Sequence, residues 1–150
     1  MSIKSTKAME ILNKMFAAKM QFFHSDSKDH SSIGSAFHPD IVVHESKSVP
    51  YAGDWSGYEE LIKLWGKMNE CWESMKVEDM QAAINEDTTF LTCTLIAKTR
   101  SSGIVTRQPF SEYLKLKDDL VVKAIPFYYD TVAINQALEF NPDMDFNDLY

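Results

Sequence analysis

The sequence predicts an α+β fold: a cone-shaped, strongly curved, mixed or antiparallel sheet with N-terminal helices packed on its concave face. Three observations predict it. Apolar side chains recur at helical spacing in two stretches, over 6–23 and from 57 to 75. From Val77 onward the period becomes two, and polar turns at 85–87, 101–103 and 117–119 separate the runs. The chain has 150 residues, enough for one domain with its own core. Helices first and a meander of strands after is the α+β order. A curved sheet closed by helices encloses a cavity, a usual place for a small ligand.

The first helix, over 6–23, rests on Ala8, Ile11, Leu12, Met15 and Phe16, extended by Phe22 and Phe23, with Thr6 as N-cap. The polar run 25–32 breaks that pattern into a loop. A short helix over 33–37 is expected to end at His38-Pro39, because the residue before a proline leaves the helical region. Residues 41–46 read as a strand with Ile41, Val43 and Glu45 on one face and Val42, His44 and Ser46 on the other. If the first face is the core face, Glu45 is an inward carboxyl. Such a group has a raised pKa and can move protons near neutrality.

The loop 49–57 is marked by Pro50, Gly53 and Gly57, yet it carries Tyr51 and Trp55, which either plug the core or line a pocket mouth. Ser56-Gly57-Tyr58-Glu59 has the spacing of a capping box. The helix after it places Leu61, Leu64, Trp65, Met68, Trp72 and Met75 on one side. Strands follow over 77–84, 89–100, 104–117 and 120–129. In the third of these, Phe110, Glu112, Leu114 and Leu116 share a face opposite Ser111, Tyr113, Lys115 and Lys117, so Glu112 points inward. Pro109 implies a bulge or an edge position. In the last strand Phe127 and Tyr129 share a face, which is assigned to the pocket. Asp130 is the N-cap of a short helix over 132–140, and the acidic 141–150 forms a tail.

The net charge of −7 argues against nucleic acid and anionic membrane surfaces, which both need a basic face. No apolar run is long enough to span a bilayer, and residues 1–7 lack an apolar signal region, so a cytoplasmic protein is expected. Cys71 and Cys93 read as buried small residues rather than a disulfide. Neither they nor His24, His30 and His38 have ligand spacing, so no metal site is expected. No nucleophile elbow, phosphate loop or dinucleotide fingerprint is present, so no cofactor is implied.

Four stretches carry a resemblance. They are Phe37-His38-Pro39-Asp40-Ile41-Val42-Val43-His44-Glu45, Tyr51-Ala52-Gly53-Asp54-Trp55-Ser56-Gly57, Glu112-Tyr113-Leu114-Lys115-Leu116 and Pro126-Phe127-Tyr128-Tyr129-Asp130. Over 6–140 the chain resembles the nuclear transport factor 2-like superfamily, most closely its SnoaL-like and ketosteroid isomerase-related members. The resemblance implies a cone fold on one domain, 1–150, a small hydrophobic ligand and a homodimer. It places Glu45 at the isomerase's carboxylate base and Glu112 at the protonated carboxyl of its oxyanion hole, a neutral carboxyl donor. The isomerase's oxyanion tyrosine belongs on the first helix, where Phe16 is the nearest match. Epoxide hydrolase and cyclase relatives carry an acid where Phe127 stands.

The expected function is a small-molecule binding cone, acting as a cofactor-independent acid–base isomerase or cyclase on a hydrophobic carbonyl compound. Glu45 would be the base and Glu112 the neutral donor. Phe16, His44, Trp55, Tyr58, Trp65, Phe127 and Tyr129 would contact the substrate. Other readings stay open: Glu112 bracing the sheet, Glu45 at a mouth or dimer interface, His44 as an interface histidine, and a non-catalytic module on the same fold.

Overall fold

The computed structural model describes residues 3–143, with side chains from residue 7 onward. Helix α1 spans Ile3–His24 and a 3-10 turn follows at Ile33–Ser35. Strand β1 is Phe37–Glu45, β2 is Gly53–Ser56 and helix α2 is Gly57–Cys71. The meander is β3 (Trp72–Asn85), β4 (Thr88–Thr99), β5 (Val105–Lys117) and β6 (Leu120–Tyr128), and helix α3 is Thr131–Ala137. One six-stranded sheet runs in the order β2-β1-β6-β5-β4-β3. Among the described residues β1 and β6 pair in parallel and the other neighbours antiparallel, so the sheet is mixed. No helix of the described residues is long and apolar enough to cross a membrane.

That parallel pair matters most for the site. Val43 on β1 pairs with Ala124, and Pro126, two residues further along β6, pairs with Glu112 on β5. Glu45, two residues beyond Val43, therefore flanks β6 at the same level as Glu112. Register shifts interrupt the β1–β6, β3–β4 and β5–β6 ladders, and irregularities of this kind bend and twist strands. The core fills the concave side. Leu12 and Met15 of α1 meet Leu61, Leu64 and Met68 of α2 over Ile41, Leu91 and Leu114. Trp65 sits between Phe22 and Phe37, with ring centroids 5.6 Å from each.

Several expected boundaries move, each for a physical reason. Helix α1 starts at Ile3, so position 6 lies inside it rather than at its cap. Only Ile33–Ser35 is helical before β1, because Phe37-His38-Pro39 already belongs to the strand. Ser56 precedes α2 but makes no side-chain cap bond, since it is also the last residue of β2, paired with Val42. Trp72 and Met75 leave the helix for β3, where Trp72 pairs with Thr99. Pro109 makes no bulge. The β4 ladder passes it without a shift, and pairing with β6 starts one residue later at Phe110. Helix α3 is shorter than expected, but Asp130 caps it as foreseen, its Oδ1 accepting from Ala133 N at 2.9 Å. Residues 144–150 of the tail lie outside the described residues.

Candidate functional site

A cavity of about 330 Å³ lies between α1, α2 and the concave sheet face. Its wall is mostly apolar. Met15 and Phe16 come from α1, Leu64 and Trp65 from α2, and Leu95 and Phe110 from the sheet. Polar side chains interrupt it at Lys19, His24, Glu45, Lys76, Glu112 and Tyr128. The volume is at the lower end of the range for small-molecule pockets.

Glu45 is the most confined of these. It is only 8% exposed, and its Oε2 has no hydrogen-bond partner among the described residues. Burial pushes its pKa up to about 8, with Lys19 acting against the shift and Glu112 adding to it. Glu112, the partner across β6, is pushed up to about 7 by burial, again opposed by Lys19. Two carboxyls in one apolar enclosure cannot both ionise freely near neutrality. Burial holds both carboxyls above the ordinary carboxylate range, and the two titrate as a coupled pair.

Lys19 is the charge that sequence reasoning missed. Burial lowers its pKa, while the two carboxylates favour its ammonium form. Its ammonium stands 5.8 Å from the Phe23 ring centroid. The signal was present in the helical spacing. Met15, Phe16, Lys19 and Phe23 fall on one side of α1, so a lysine interrupts an apolar stripe. His24, just past the expected helix over 6–23, closes α1 and lines the cavity as well.

Of the expected site residues, Glu45, Glu112, Phe16 and Trp65 line the cavity. The others do not. His44 points to the other face of β1, where its Nδ1 lies 2.7 Å from Asp54 Oδ1. Trp55 donates its indole N–H to Tyr51 O, with the Lys67 ammonium over its ring. Tyr58 donates its hydroxyl to Phe37 O, bracing α2 against β1. Phe127 and Tyr129 are 49% and 77% exposed, on the outer side. Pro126 and Tyr128 take the inner face instead. Alternation separated the two sets correctly, but both contain an aromatic residue, so composition could not say which faced in.

Tyr128 is the second missed residue, and it is linked to the core. Its Oη lies 3.1 Å from Tyr51 Oη, which lies 3.2 Å from Trp72 Nε1. Tyr51 thus plugs the core, one of the two roles open to it. Cys71 and Cys93 are free thiols. Among the described residues no cluster of His, Cys, Asp or Glu is arranged to hold a metal.

No family model matches the sequence, and no curated protein is significantly similar to it. Solved structures are similar in fold. A nuclear transport factor 2-like protein from Burkholderia xenovorans LB400 superposes with a TM-score of 0.75 at 16% identity, covering 91% of this chain and 99% of its own. The fold is nuclear transport factor 2-like. A candidate SnoaL-like polyketide cyclase from Jannaschia sp. CCS1 gives a TM-score of 0.72 at 16% identity, covering 95% and 98%. A protein of ketosteroid isomerase-like fold from Catenulispora acidiphila, in complex with trimethylamine, gives 0.70 at 12% identity, covering 91% and 97%. Identities this low report the cone and leave its chemistry to the residues inside it.

Proposed function

We propose that the cavity binds a small, mostly apolar carbonyl compound and that Glu45 removes a proton from the carbon α to the carbonyl, as an isomerase or cyclase does. The observation that carries this reading is the buried, unpartnered Oε2 of Glu45 in the cavity wall. A buried polar oxygen without a partner costs about 1–3 kcal/mol, and such a cost is retained where the group is used. Glu112 shares the proton inventory of the pair, and the Lys19 ammonium offsets the charge once either carboxyl ionises. The base form of Glu45 grows as pH rises through about 8. The small ligand held by one structural neighbour supports a ligand-binding use of the cone.

The test is exchange of the α-hydrogens of 2-tetralone in deuterated buffer, followed by NMR. The protein is expected to accelerate exchange, and Glu45→Gln to abolish the acceleration while the fold persists. Full acceleration in that variant removes Glu45 as base.

A second reading, an interaction module, draws on the outer sheet face. Phe90 and Phe127 are 45% and 49% exposed there, with ring centroids 6.5 Å apart. We propose that this face pairs with a second copy of the chain, as a homodimer. Light scattering after size exclusion is expected to give twice the chain mass, and Phe127→Lys to shift it toward the monomer.

A further inference from the structure

The chain of three polar side chains behind the cavity has a direction, and hydrogen counting reveals it. The indole N–H of Trp72 is a donor only, so Tyr51 Oη accepts from it. One hydrogen then bridges the Tyr51 and Tyr128 oxygens. If Tyr128 supplied it, the hydroxyl hydrogen of Tyr51 would have no acceptor among the described residues, on a side chain 1% exposed. A buried, unpaired donor is costly. If Tyr51 supplies it, each hydrogen of the chain is placed except that of Tyr128, and Tyr128 lines the cavity. Satisfaction therefore selects the order Trp72 to Tyr51 to Tyr128 and leaves one O–H for whatever occupies the cavity.

We propose that the Tyr128 hydroxyl is the cavity's hydrogen-bond donor to a ligand oxygen carrying negative charge, an enolate or phenolate. This rests on the carbonyl-ligand reading above and adds to it the group that meets the developing charge. Phe16 has no hydroxyl to offer from α1, and Glu112 shares its protons with Glu45 as a coupled pair, whereas the Tyr128 hydroxyl keeps its hydrogen whichever carboxyl is ionised. When Glu45 takes the α-proton, the C–H electron pair moves onto the carbonyl oxygen as the enolate forms. The Tyr128 O–H stays intact and hydrogen-bonds that oxygen. Glu45 lies close enough to influence Tyr128 electrostatically, yet no hydrogen bond joins them, so the donor is not consumed by the base. Each donation along the chain polarises the next hydroxyl and strengthens the terminal one. Lys19, His24, Glu45, Lys76 and Glu112 are the other titratable groups lining the same cavity among the described residues.

Two probes of similar shape test this: 4-nitrophenol at pH 8, where it is a phenolate, and nitrobenzene, which lacks the oxygen. Titration calorimetry is expected to show Tyr128→Phe weakening 4-nitrophenolate at least about tenfold, the scale of a charge-assisted hydrogen bond. Nitrobenzene affinity is expected to be unchanged. Tyr51→Phe interrupts the relay and is expected to weaken the phenolate by less, again sparing nitrobenzene. Equal weakening of both probes, no weakening of the phenolate, or failure of wild type to bind the phenolate overturns the proposal. If Tyr128→Phe does not fold, the same comparison is read from Tyr51→Phe. The 2-tetralone exchange assay on Glu45→Gln reads proton abstraction separately. Probe discrimination without exchange defeats the base assignment and leaves Tyr128, and exchange without discrimination does the reverse.

Discussion

Glu112 and Glu78 stand on β5 and β3 of one sheet and behave as different acids. Glu78 faces outward, where its carboxylate accepts from Arg107 Nη2 at 3.1 Å and lies 3.4 Å from Lys76 Nζ. The Arg107 and Lys76 hydrogen bonds hold its pKa below the ordinary carboxylate value. Glu112 faces inward, where burial raises its pKa to about 7 and Lys19 only partly restores the charged form. The residue type is the same, and the side of the sheet decides the outcome. On the convex face water and paired charges stabilise the carboxylate; on the concave face both are withdrawn. The same contrast separates Glu45 from the exposed pairs Lys98–Glu73 and Lys115–Asp87.

The contrast is sharpest in rate. Glu45→Gln should slow ketone α-exchange by at least about 100-fold, the usual scale of a positioned general base, while Glu78→Gln should leave it within about twofold. NMR exchange measures both, and comparable losses would show that the inner face has no special chemistry. Next in size is packing. Leu114 is 0% exposed beside Glu112, so Leu114→Ala should cost about 2–5 kcal/mol in a urea titration. A value near zero would mean that the concave face is loosely packed.

The inner carboxyls should also make stability depend on pH. For Glu45 the folded pKa, about 8, lies above the ordinary value of 4.5. Below that ordinary value both states are protonated and nothing is lost. As pH rises from there to about 8, the unfolded chain releases a proton that the folded chain keeps, so stability falls, and it levels off above. Wild type should therefore be less stable at pH 8 than at pH 5. Glu45→Gln should flatten that slope by on the order of 2 kcal/mol. Identical slopes in thermal melts of the two proteins would mean that the inner carboxyl ionises as if in water. The smallest effect belongs outside. Arg107→Ala removes the exposed partner of Glu78, and its small effect on the melting midpoint should shrink further with added salt, because exposed pairs are screened.

Much of the cone was legible in the sequence. Alternation along β5 turned Glu112 inward with Phe110 and Leu114, and the Asp130 cap followed from its place before α3. The identity of the inner face of β6 was not legible. Phe127 and Tyr128 are both aromatic, and only pairing with β1 and β5 sets the phase of that strand. Trp72 fitted a helical stripe equally well, until its pairing with Thr99 drew it into β3.

The sequence by itself determined the order of elements, the change from helical to alternating period, and the acidic, ordinary composition of a folded domain. Those are local properties, written in the spacing of apolar residues along the chain. The tertiary structure alone decided that Glu45 and Glu112 meet across Pro126, that Lys19 stands with them, and that Tyr128 ends a relay from Trp72. These depend on a parallel pairing between the first and last strands and on the placement of α1 over the sheet. Such contacts join residues far apart in the chain, and no local period records them.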